Sequence, residues 1–254
     1  VGYTEERETL SLIARHFGAL RPSPRPIPPM YTTEPEQEGE RRVRVSRAGS
    51  TRIVGIAHKI PEATHPDTPA LRLLMEVLAG GIASRLMRAL VDTARASALI
   101  PLYHPLHDPG LFSIYAILTP GTPHESVEAL ILAEYDRLKN GGIRTSEVSR
   151  AKARLAAALA LTRDGAHALA ANLNEMIAVG DWTLLVTLDE HIRALGSADL
   201  SRVAERYLHP RRSTVGWFSP ETPREASPGT PATLPSIHEP LHESASERAP
   251  TTGE

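Results

Sequence analysis

Eleven histidines and no cysteine restrict metal chemistry in this 254-residue chain to imidazole and carboxylate ligands. His238-Glu239-Pro240-Leu241-His242 spells His-Glu-x-x-His, which holds zinc when a helix brings both imidazoles to one side and the glutamate activates water. Pro235 and Pro240 oppose such a helix and no third ligand stands nearby, so the segment reads as chance composition. His104 and His107 flank Pro105 and could share a metal. Without a carboxylate partner they read as a turn with solvated or hydrogen-bonded imidazoles. Gly80-Gly81, just ahead of a helical pattern, could cradle an anion on free amides; a helix stop between two packed helices explains the same pair and is the reading adopted. Ser84 and Ser97 lack a base at catalytic spacing. No catalytic, cofactor-binding or metal-binding residue is assigned.

The remaining chemistry is charge and aromatic bulk. Net charge is −2, and only Lys59, Lys139 and Lys152 are lysines among 28 cationic side chains, so no field suited to nucleic acid is expected. Arg144, Arg150, Arg154 and Arg163 fall on helical segments beside alanine and glutamate; they read as a solvated face, with a partner-binding strip as the alternative. Trp182, Trp217 and Phe218 stand out in a chain with 4% aromatics and are expected to anchor helices on a sheet. Hydrophobic residues at 41% and charged residues at 23% describe a globular chain. The longest apolar run, 71–79, is interrupted by Arg72 and Glu76, so no membrane span is expected. The chain is expected to be soluble, in periplasm or cytoplasm. It opens on Val1-Gly2-Tyr3 rather than methionine, without a basic segment followed by an apolar one; processing or a chosen boundary is expected to have set this start.

The elements that would position these residues follow from periodicity and punctuation. Residues 4–18 predict a helix capped by Thr4, with Leu10, Ile13, Ala14 and Phe17 on one stripe. Residues 21–42 are a proline-rich linker. Val43 and Val45, then Ile53 to Ala57, predict two strands that could be sheet neighbours. A helix opens at Asp67-Thr68-Pro69 and stops at Gly80. Another is expected from Ser84, then strands at 99–103 and 111–118. Thr122 to Glu125 have capping-box spacing for a helix ending at Asn140. Alanine-rich helix fills 146–179 with a bend near Gly165, a further helix spans 181–195, and Ser197 caps the last, to Leu208. A final strand covers 213–218, and 219–254 is expected to be a disordered tail. This order predicts an α+β fold, a mainly antiparallel sheet with helices on one face.

Several segments carry a family likeness: the opening Val1-Gly2 with the helix ending His16-Phe17-Gly18, Gly39-Glu40-Arg41-Arg42-Val43, Gly80-Gly81-Ile82-Ala83-Ser84-Arg85-Leu86, Asp108-Pro109-Gly110-Leu111-Phe112, and Ala204-Glu205-Arg206-Tyr207-Leu208. Together, over residues 1 to 218, they resemble the pitrilysin/insulinase-type zinc metallopeptidases: the end of one half followed by the whole of the second, non-zinc half. The resemblance implies residues 1–20 as a remnant of a preceding domain, 21–42 as linker and 43–218 as a peptidase-like domain of the processing-peptidase type. It also implies bacterial relatives, and a heterodimer or dimer in which two halves enclose an unfolded peptide.

In that family a first-half helix carries His-x-x-Glu-His, whose two histidines bind zinc with a distant glutamate. None of the eleven histidines begins that pattern, so zinc is expected in a partner half or subunit and none in this chain. An arginine and, seven residues on, a tyrosine contact substrate in the family's second half; here those places hold Val91 and Ala98. The expected role is a non-catalytic half that encloses peptide substrate and is inactive alone. The alternative is a structural or assembly subunit of the same fold.

Overall fold

The computed structural model describes residues 1–25 and 35–221. Part of the proline-rich linker, and the tail with His238 and His242, therefore lie outside the described residues. In chain order the elements are α1 (Glu6–Phe17), β1 (Arg41–Ala48), β2 (Arg52–Ile60), α2 (Thr68–Ala79), β3 (Ala96–Tyr103), β4 (Gly110–Leu118), α3 (His124–Lys139), α4 (Thr145–Leu161), α5 (Ala166–Ala178), α6 (Leu184–Ala194), α7 (Ser197–Tyr207) and β5 (Ser213–Glu221).

The five strands form one sheet in the order β1-β5-β2-β4-β3, antiparallel except for the parallel β1–β5 pair. The two strands expected as possible neighbours are thus separated by β5. Arginine-rich β1, exposed along its whole length, suits an edge, where charged side chains discourage further pairing. β5 carries Val215 into the core and tolerates a neighbour on each side.

One hydrophobic core lies between the sheet and the helices. α2 is its centre: ten of its twelve residues are buried, as expected for a helix apolar on nearly all sides. It touches α4, α6, α7 and β3, while α3 and α7 lie over β2. Val54, Ile56, Phe112, Ile114 and Ala116 of the two central strands are fully buried beneath these helices.

Local departures from the expected punctuation have identifiable causes. Glu5 and not Thr4 precedes α1, with no side-chain cap. The helix expected from Ser84 is present but short: it runs over 85–91, its last five residues, Met87–Val91, in a π turn, and Ala94 follows at φ 54°; Leu86 and Leu90 are both buried. Thr122 caps nothing on α3: its hydroxyl meets that of Thr119 at 2.7 Å, and Pro123 holds the cap position. At α7 the cap position is Gly196, whose N–H donates to Asp199 Oδ2 at 2.8 Å. The bend near Gly165 is a full break, because that residue adopts φ 85°, a conformation glycine alone reaches without strain. The last strand continues to Glu221, beyond the expected tail boundary.

Trp182 does not anchor a helix. It lies 57% exposed between α5 and α6, because α6 turns its apolar side, with Leu188 and Ile192, inward instead. Trp217 does serve as an anchor: its ring stacks on His124 with centroids 5.4 Å apart, and its Nε1–H donates to Glu128 Oε2 at 2.8 Å.

Candidate functional site

The candidate motifs that fall within the described residues take local structural places in the fold, whereas His238 and His242 lie outside those residues. Among the described residues no group of three histidine, aspartate or glutamate side chains comes together to hold a metal ion. His107 lies beside Asp108, Nδ1 to Oδ1 3.3 Å, on an exposed turn. Gly80 and Gly81 form a helix stop: the Glu76 carboxylate lies against Gly80, the Arg154 guanidinium against Gly81, and the two side chains pair. A side chain at either glycine would collide with that pair. Ser84 is buried with its hydroxyl unpartnered, and the Ser97 hydroxyl donates to Ile117 O at 3.3 Å. Neither serine bonds a histidine.

The arginine series is spent within the chain. Arg144 meets Glu147, Arg154 meets Glu76, and Arg163 donates to the carbonyl of Leu185. The Arg154 contact joins α4 to α2, while the Arg144 and Arg154 side chains remain largely exposed, as on a solvated face. Arg85, quoted above only as part of a glycine-rich turn, is the stronger tie. Its guanidinium donates to both Glu147 oxygens at 3.1 and 2.7 Å, to the Gly142 carbonyl, and stands 3.8 Å from Glu134. Burial alone would raise the Glu147 pKa, but hydrogen bonds from Arg85 and the Arg144 backbone draw it down to about 2. Asp67 is a second buried carboxylate. Burial pushes its pKa up and is outweighed by Arg202 at 2.7 Å and the Tyr207 hydroxyl at 2.8 Å, for a net lowering. Both carboxylates are thus fixed anions with full sets of donors, unsuited to carrying protons near neutrality.

What the fold leaves open is the sheet face turned away from the helices. Side chains alternate along a strand, and the register fixes which of them share a face. Ile53, Gly55 and Ala57 of β2 lie opposite Ile117, Tyr115 and Ser113 of β4. Ile100 and Leu102 of β3 continue the row beside Tyr115 and Ser113. On the other side Phe218 adjoins Ile53, and Val43 and Val45 of β1 face Gly216 and Phe218. Ile100, Leu102, Leu111, Val43 and Val45 are all exposed. A Cβ at residue 55 would fall 2.8 Å from the Tyr115 ring, so glycine there lets that ring lie across β2. Ala98 sits on this face opposite Ile117, while Val91 packs partly buried against the core.

This surface is mainly apolar, with Lys59, Ser113 and Tyr115 among its residues; it can exclude water and contact apolar side chains. Its signal in the sequence is that β2 and β4 are apolar at consecutive positions, Ile53-Val54 and Ile114-Tyr115-Ala116-Ile117, a two-sided pattern typical of strands covered on both faces.

The family described as peptidase M16 inactive domain matches residues 1–155. The zinc protease PqqE of Helicobacter pylori is 28% identical over 223 residues, 87% of this chain and 50% of that protein. The chain thus spans about half the length of this curated relative. The crystal structure of a protease from Helicobacter pylori superposes with TM-score 0.82 at 27% identity, over 87% of this chain and 54% of that one. The inactive peptidase domain of a candidate zinc protease from Bordetella parapertussis superposes with TM-score 0.64 at 28% identity, over 70% of this chain and 97% of that one.

Proposed function

Because the chain belongs to the peptidase M16 inactive-domain family, we propose that it is the non-catalytic C-terminal half of a zinc metalloendopeptidase, closing an apolar wall over an extended peptide. A zinc-bearing half performs the hydrolysis. The observation that carries this reading is the open sheet face, on which Ile100, Leu102 and Leu111 are exposed. Such a face contacts peptide side chains without selecting one sequence, and burying it against substrate and partner supplies the driving force for closure.

The test is reconstitution. The chain alone should leave an unstructured peptide intact, and adding the half that carries His-x-x-Glu-His should produce chelator-sensitive cleavage. Ile100→Asp should lower kcat/KM of the assembled enzyme by about tenfold, the cost of placing a charge on an apolar contact, with zinc content unchanged. Chelator-sensitive cleavage by the chain alone, or indifference of the assembly to Ile100→Asp, would overturn the proposal.

A second reading, a purely structural or assembly subunit, is favoured by Val91 and Ala98, neither of which can donate a side-chain hydrogen bond to substrate. Capture of a natural partner lacking His-x-x-Glu-His would select it.

A further inference from the structure

A cavity of about 560 Å³ opens on the helical side of the sheet, between the start of α2, the end of β3, and α5 and α6. Its walls are mainly apolar, with Pro69, Pro105, Met176, Leu184 and Leu188 among them, and it is of a size that takes small molecules. Into this space comes Arg72, on a core helix whose neighbours Leu71, Leu73 and Leu74 are fully buried. Arg72 itself is only partly exposed. Its guanidinium makes no hydrogen bond or ion pair with any described residue. Glu76, one turn along, is held by Arg154. The Tyr103 hydroxyl, also at the cavity, donates to Thr68 O at 3.2 Å. Burial lowers the Arg72 pKa, against the weaker pull of Tyr103 and Glu76.

Arg85, another partly buried arginine, carries a full set of acceptors. A cation withdrawn from water without an acceptor is costly, and among the described residues Arg72 has none within hydrogen-bonding distance. Two of the other polar groups at the cavity are already engaged. His65 Nδ1 accepts from the Asp67 N–H at 3.0 Å, and Asp181 Oδ1 accepts from the Thr183 amide and hydroxyl.

We propose that this cavity binds a small amphiphile bearing one carboxylate on an apolar body, with the carboxylate on Arg72 and the body against Met176, Leu184 and Leu188. A single guanidinium meets a planar monoanion bidentately. No other lysine or arginine lines the cavity, so a more highly charged phosphate would be undercompensated. The chemistry is shared by the free C-terminus of a short apolar peptide and by a medium-chain fatty acid. The site lies across the sheet from the open face and does not depend on the chamber reading.

Calorimetric titration of the 254-residue chain tests it with four probes: octanoate, octanamide, a tripeptide ending in two leucines, and that tripeptide's C-terminal amide. At least one acid should saturate at one per chain, with its amide about tenfold weaker or worse, the loss of a charged hydrogen bond. The tighter acid identifies the source. Arg72→Met should weaken the acid by about tenfold or more, leave the amide unchanged and not lower the unfolding midpoint. Leu184→Trp, which fills the cavity and spares the cation, should abolish acid binding and guards against misfolding of the first variant. No saturation by either acid up to about 10 mM, well past the range of a specific site, or equal binding of acid and amide, would overturn the proposal.

Discussion

His58 on β2 is 1% exposed, with its Nδ1 unpartnered and its ring edge-on to Tyr135 at 5.3 Å. Burial, aided by the fields of Lys139 and His209, lowers its pKa to about 3. The unfolded chain takes up a proton there near pH 6.5, whereas the folded chain stays neutral until near pH 3. Stability is therefore present above pH 6.5 and declines as pH falls toward 3. Glu147 and Asp67, with lowered pKa values, add acid losses only below their unfolded carboxylate range. Between about pH 4 and 5.5 the His58 contribution approaches a slope of about 1.4 kcal/mol per pH unit. His58→Phe keeps the ring contact and should remove that contribution, as read from urea unfolding across pH. None of this is legible in the sequence, where His58 is one polar residue in an apolar strand. The same holds for Arg85 and Asp67, whose partners lie 62 and up to 140 positions away; local pattern contains no term for such distances.

Among the elements, those with strong boundaries at both ends were the readable ones. α2 has Asp67 and Pro69 at its start, Gly80 at its end and apolar residues throughout, so local and tertiary preferences agree. The segment after Ser84 has the right spacing for a helix and forms a short one that ends in a π turn. Strand order is a long-range property, and the insertion of β5 beside β1 had no local sign. That insertion explains why β1, otherwise without buried residues, is held. Arg42 on β1 pairs with Glu128 on α3, Nη2 to Oε1 2.6 Å, and the same carboxylate accepts from Trp217 on β5. Glu128→Gln removes the charge and should destabilise the fold by about 1–2 kcal/mol. Hydrogen exchange of the β1 amides should quicken more than that of the β2 amides, since the tie to α3 is what the substitution cuts.

At the scale of the molecule, residues 1–221 cluster as one compact unit, yet α1 has no buried residue and exposes Leu10, Leu12, Ile13 and Phe17. A helix so placed takes little part in the core, and removing residues 1–20 should shift the unfolding free energy by less than about 1 kcal/mol, by denaturant titration. If those apolar side chains dock on the zinc-bearing half, the same deletion should weaken the reconstituted assembly. The seating of β5 between β1 and β2 carries a final consequence for the order of events on the ribosome. β1 is made early, but its one partner strand among the described residues emerges after more than 160 further residues. Until then the amino-terminal segment has no lateral seat, and nascent β2, β3 and β4 must assemble with the first helices on their own, their unclosed margin a place where a chaperone would be useful. Termination ahead of Ser213 would thus cost the finished sheet two strands rather than one.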